Sequence, residues 1–109
     1  MPTEPATLVT YETDRNKFSS LSERNKFYRG LFGYKQTVKE NGKVYHYEKD
    51  GIIDEIPHIK VADSVFIIPK DQTDRLLSYL RDWAEKVTFT TYSIQIETAD
   101  WPEHEPEQS

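Results

Sequence analysis

"YKQTVKENGKVYHYEK", residues 34–49, is the stretch on which the fold turns. Asn41-Gly42 can take positive φ at both central positions, as a two-residue type I′ hairpin turn requires. With that turn, Glu40 faces Lys43, Val38 faces Tyr45, Gln36 faces Tyr47 and Tyr34 faces Lys49. Because side chains alternate along a strand, Tyr34, Val38, Tyr45 and Tyr47 share one face. Lys35, Thr37, Lys39, Val44, His46 and Glu48 share the other. The expectation is a half-buried hairpin, with its rings toward a core and its charges toward water.

Upstream, Ser20 and Glu23 have capping-box spacing, which opens a helix over roughly 21–32. Leu21, Tyr28, Leu31 and Phe32 form its apolar stripe with Phe27 at the edge, and Gly33 is a natural stop. Lys26 and Arg29, one turn apart, project from the opposite side. Before the helix, "ATLVTYET" (6–13) alternates as a strand, with Leu8 and Thr10 on one side and Val9 and Tyr11 on the other. "DRNKFSS" is a polar link between the two.

Downstream, Ile52, Ile53 and Ile56 fit a short helical turn ending before Pro57, and Ile59 and Val61 then read as extended. "SVFII" is a short continuous apolar run, the signature of a strand buried on both faces. Asp71 can cap a helix over roughly 72–86, where Leu76, Leu77, Leu80, Trp83 and Ala84 keep a helical period. In the last strand, "VTFTTYSIQIE", apolar parity changes from Val87 and Phe89 to Tyr92, Ile94 and Ile96, which predicts a bulge near Thr90–Thr91. The order fits an α+β domain, one mostly antiparallel sheet with two helices on one face. A ferredoxin-like βαββαβ arrangement with an elaborated central hairpin accommodates it.

The ends differ from this body. Residues 1–5 and 98–109 are rich in Pro and Glu without an apolar period, so a flexible N-terminus, a domain over 6–97 and a flexible acidic tail are expected. Trp101 is the exception in the tail and is expected to dock on the body. At 109 residues, with 36% hydrophobic and 13% aromatic residues, one small globular domain is the reading. With no cysteine, disulfides and thiolate metal sites are excluded. There is neither an apolar run of membrane-span length nor a charged-then-apolar leader, so a cytoplasmic protein is the expectation.

The net charge of −5 conceals an asymmetry. Residues 15–49 hold nine Lys and Arg against three Glu, a balance of +6, and the rest of the chain holds five against sixteen, a balance of −11. One face can therefore attract an anion while the remainder keeps the molecule soluble. Phosphate backbones select such cations, and unpaired bases stack on exposed rings. The candidate nucleic-acid-binding set is Arg24, Lys26, Arg29, Lys35, Lys39, Lys43 and His46. "YRGLFGYK" resembles the "RGFGF" signature of RNA-recognition motifs only superficially, because "FYRGLF" ends a helix rather than building a strand.

Other chemistries find less support. His46, His58 and His104 are far apart, with no zinc-type spacing, and neither a nucleophile elbow nor a Gly-rich phosphate loop occurs. No cofactor motif is present, and a non-enzymatic protein is expected. Glu12 and Asp14 lie at the end of the first strand, where small ferredoxin-like metal-dependent nucleases place a carboxylate for Mg²⁺. That resemblance covers an element order and two acids, and makes a nuclease the weakest alternative. A protein-interaction or homodimerisation module without nucleic-acid binding is the stronger one, because strand 87–97 has high β-propensity and almost no charge, as edge pairing between two copies needs.

Overall fold

The computed structural model of the protein describes residues 2–102. Its elements are β1 (Thr3–Thr13), α1 (Leu21–Phe32), β2 (Tyr34–Glu40), β3 (Lys43–Lys49), β4 (Ile59–Ala62), β5 (Val65–Pro69), α2 (Thr73–Arg81) and β6 (Val87–Glu97). Single 3₁₀ turns occupy Ile52–Glu55, Lys70–Gln72 and Thr98–Asp100. One sheet has the order β4-β5-β1-β6 with every pairing antiparallel, and β2 and β3 form a second, separate two-stranded sheet. With that hairpin and the 3₁₀ turns set aside, the element order is β-α-β-β-α-β. This is a small α+β domain.

Both helices cover one face of the larger sheet. Val9 and Tyr11 of β1, Phe66 and Ile68 of β5 and Val87 of β6 meet Phe27 and Leu31 of α1 and Leu76, Leu77 and Leu80 of α2 in one buried cluster. Phe27, 0% exposed, is its hub: the rings of Tyr11, Phe18, Tyr28, Tyr79 and Trp83 lie within 6.3 Å of its centroid. The stripe of α1 is thus centred on Phe27, not on the expected line through Leu21, which is 68% exposed. Phe18, in the stretch read as a polar link, is buried against Trp83.

The helix starts follow local chemistry. The Ser20 hydroxyl accepts the Glu23 N–H at 3.1 Å, and the Glu23 carboxylate reaches back to accept the Ser19 N–H at 2.7 Å. The second helix begins later than expected. Asp71 falls in the 3₁₀ turn, Gln72 holds the cap position without a side-chain bond, and the helix ends at Arg81. Residues 82–86 are turns, so Ala84 is exposed instead of lining the core.

Strand β6 pairs with β1 without interruption from Thr13↔Val87 to Thr3↔Glu97, and the expected bulge is absent. The parity change has another cause. Val87 and Phe89 face the helices, whereas Tyr92, Ile94 and Ile96 lie on the opposite sheet face beside Leu8, Ala6 and Glu4. Strand β5 is likewise covered once, not twice: Phe66 and Ile68 are buried, and Val65 and Ile67 on the outer face are half-buried.

Strand β1 begins at Thr3, ahead of residue 6. Thr3–Pro5 extend β1, where pairing on one side only tolerates Pro5. Thr98 N–H donates to the Pro2 carbonyl at 3.0 Å, and the Trp101 indole N–H donates to the Glu4 carboxylate at 2.8 Å, so Trp101 docks on the first strand. The remainder of the expected acidic tail, 103–109 with His104, lies outside the described residues. Among the described residues no helix is long and apolar enough to cross a membrane.

Candidate nucleic-acid interface

The hairpin turn is built as its sequence demands, with Asn41 at φ 54° and Gly42 at φ 77°. Register follows: Glu40↔Lys43, Val38↔Tyr45, Gln36↔Tyr47 and Tyr34↔Lys49. The surroundings do not follow. Of the fourteen residues in β2 and β3, only Tyr34 and Val38 are even half-buried. Tyr45 is 40% exposed and Tyr47 54%, so the face expected to turn inward lies open. The reason is topological: both helices are engaged on the larger sheet, and among the described residues no element remains to cover the smaller one. The hairpin projects, and the Cα radius of gyration of 16.6 Å exceeds the roughly 13 Å of a compact chain of this length.

Its root is rigidly defined. Gly33 ends α1 at φ 80° and ψ −178°, a conformation essentially restricted to glycine. A Cβ there would meet the Lys49 carbonyl oxygen and lie 2.7 Å from the Gly51 nitrogen. The two chain segments entering and leaving the hairpin therefore touch backbone to backbone. Asp54 secures the exit by accepting the Gly51 N–H at 2.8 Å.

Most of the candidate cations gather around this root and along the hairpin. Lys26 and Arg29 on the exposed side of α1 line a cleft of about 680 Å³ together with Tyr34 and Lys49. The Arg29 guanidinium lies over the Tyr34 ring, 5.1 Å from its centroid, which holds the root tyrosine between helix and hairpin. Asp50 and Glu55 also line the cleft, and Glu55 is ion-paired to Arg75. Lys39 and Lys43 are exposed near the hairpin tip. Lys35 lies 4.0 Å from Glu48 across the strands, and His46 Nδ1 is 3.3 Å from the Thr37 hydroxyl on the same face.

Arg24 is placed apart. It is half-buried over the Tyr28 ring, 5.6 Å from the centroid, on a side of α1 that does not line the cleft. Four residues that the sequence reading assigned to the core or passed over join the set: Tyr34, Tyr45, Tyr47 and Lys49. The alternation Lys43, Tyr45, Tyr47, Lys49 was the available signal.

The other candidate chemistries are positioned differently. Glu12 is exposed at the end of β1. Asp14 is engaged in a turn, where its carboxylate accepts the Asn16 N–H at 3.0 Å and its own N–H donates to the Lys86 carbonyl at 2.9 Å. Among the described residues no three His, Asp or Glu side chains gather as a metal site. His58 sits in the body, its Nδ1 2.9 Å from the Ile56 carbonyl. Burial, reinforced by Tyr28, pushes the Tyr11 phenol up to about 12, and burial also raises that of Tyr79. Both stay protonated near neutrality and act as structural donors, to the Asp63 carbonyl at 3.4 Å and the Phe27 carbonyl at 2.7 Å. Comparison with protein-family models, with curated proteins and with solved structures finds no match for this chain.

Proposed function

We propose that this chain is a small non-enzymatic nucleic-acid-binding protein, a ferredoxin-like body carrying an inserted β-hairpin arm that contacts phosphates. The observation that carries the reading is the projecting hairpin, whose lysines and tyrosines are exposed together above a basic cleft. A folded protein gains nothing in core stability from such an arm. Exposed cations at Lys26, Arg29, Lys39, Lys43 and Lys49 suit a polyanion, and the remaining acidic surface limits indiscriminate attachment.

The test is fluorescence anisotropy with short labelled nucleic acids across a salt series. Affinity should fall log-linearly with salt, and Lys26→Glu with Arg29→Glu should weaken binding and flatten the slope by about 0.7–0.9 per lost phosphate contact. Unchanged affinity in that variant would remove the helix face from the interface.

A second reading is compatible with the first and rests on β6. This strand lies at the edge of the sheet, is eleven residues long and carries no charge between Val87 and Ile96. Between Val87 and Ile96 it shows none of the charges, prolines or bulges that blunt free edges, and an antiparallel pairing of two copies would satisfy its open backbone groups. Light scattering should then find a dimer that Thr91→Lys with Ser93→Lys dissociates. A strict monomer at high concentration would end this reading.

A further inference from the structure

Resting on the phosphate-binding reading above, we infer that the hairpin takes single-stranded nucleic acid in preference to duplex, stacking bases on Tyr45 and Tyr47. Strand β3 presents Lys43, Tyr45, Tyr47 and Lys49 in alternate positions, so all four share one face. Alternate side chains on a strand stand about 6.8 Å apart, and the four together span about 20 Å. Two rings at that separation leave room for one base between them, since stacked nucleotides repeat at about 3.4 Å. A cation flanks the pair of rings at each end, in reach of the phosphates on either side of a stacked base.

The opposite strand completes the face. Gln36 stands across from Tyr47 and offers an amide to a base edge, and Val38 stands across from Tyr45. Tyr34, across from Lys49, closes the row at the root beneath Arg29. Glu40 faces Lys43 at the tip, and at the root Lys49 adjoins Lys26 and Arg29 in the cleft.

Duplex cannot use this face well. Inside a duplex the flat faces of the bases are covered by their neighbours, so exposed tyrosine rings gain no stacking there. A two-stranded ribbon can enter a major groove, but it then reads base edges with polar and charged side chains. Here the middle of the face holds two rings and a valine beside the single amide of Gln36, and the rings fit the π-faces of unpaired bases.

The experiment is a titration of labelled oligothymidylate, oligouridylate and a mixed-sequence duplex of equal length, in the same low-salt buffer. The single strands should bind at least about tenfold tighter than the duplex. Tyr45→Ala and Tyr47→Ala should each weaken single-strand binding by about tenfold, as loss of one stacked base does. Tyr47→Phe should bind like the unaltered chain, because the ring is kept. Both positions are exposed, so circular dichroism of the variants should match that of the parent. Duplex bound equally or more tightly, or alanine variants that bind unchanged, would overturn this inference and leave phosphate binding by the arm standing. Failure of every probe to bind at low salt would overturn both.

Discussion

Phe66 and Ile68 on β5 are 1% and 0% exposed, whereas Tyr45 and Tyr47 on β3 are 40% and 54% exposed. Both pairs occupy alternate positions on antiparallel strands in regular register. They differ in what lies above them: α1 and α2 cross over β5 and leave β3 bare. Alternation along a strand determines which residues share a face, and the rest of the chain determines whether that face becomes core or surface. In this molecule the division runs between a body that holds itself together and an arm that is free to hold something else.

The sharpest way to break that division is to remove one ring from each side. Phe27→Ala deletes the hub of the aromatic cluster and should cost about 3–5 kcal/mol, since the five surrounding rings can collapse only partly into the space. Tyr47→Ala, on the arm, should change stability by no more than about 0.5 kcal/mol. Chemical denaturation read by circular dichroism checks both. A large loss for Tyr47→Ala would mean that the hairpin face is packed in solution, and would withdraw the exposed rings from the interface.

The second test falls on the joint between arm and body. Gly33→Ala forces a Cβ onto backbone atoms of Lys49 and Gly51 and places alanine in a glycine-only conformation, at a cost of about 2–3 kcal/mol. Gly42→Ala, at the far end of the arm, carries only the positive-φ penalty, about 1 kcal/mol, and that penalty falls on the hairpin. Gly33→Ala should lower the melting temperature of the whole protein, whereas Gly42→Ala should leave it within about a degree or two and loosen only the hairpin amides in hydrogen exchange. Equal effects would show that arm and body unfold as one unit.

The same contrast explains how much of the fold was legible in the sequence. The hairpin turn, its register, the first helix and its cap follow from interactions within a few residues: Asn41-Gly42 at the turn, Ser20 with Glu23 at the cap. The centring of α1 on Phe27, the burial of Phe18 and the exposure of Leu21 depend on which distant element lies above each one. So does the placement of β6 at an edge, which its composition hinted at and only the strand order decides. For the candidate site, the cations were readable as charges, and the tyrosines were assigned to the core because a half-covered hairpin is the commoner fate of such a pattern. Their exposure follows from both helices being used elsewhere, a fact about the count of covering elements that no local window contains.

The smallest expected effect compares one ion pair in the body with one on the arm. Glu23 and Lys86 meet at 2.6 Å with both side chains about a quarter exposed, joining the start of α1 to the start of β6. The bond from Lys86, followed by the Ser19 N–H, holds the Glu23 carboxyl below its ordinary value of 4.5. A group whose acidity is strengthened by folding adds stability above its unfolded pKa and loses that contribution as pH falls through the folded value. Glu23→Gln keeps an oxygen for the Ser19 N–H and discards the charge facing Lys86, so it should lower the melting temperature at neutral pH by less than Phe27→Ala or Gly33→Ala. The gap between variant and parent should then narrow as pH falls below the ordinary value of 4.5 and close once pH has passed the lower folded value, where the parent carboxylate takes up its proton. Lys35→Gln removes the arm's pair with Glu48, 4.0 Å apart with both partners largely exposed, and should leave the melting temperature unchanged at every pH, because such surface pairs contribute about 0–1 kcal/mol. A Glu23 gap that persists at low pH would assign its effect to the helix cap alone, and the tie between α1 and β6 would then rest on the buried rings without help from charge.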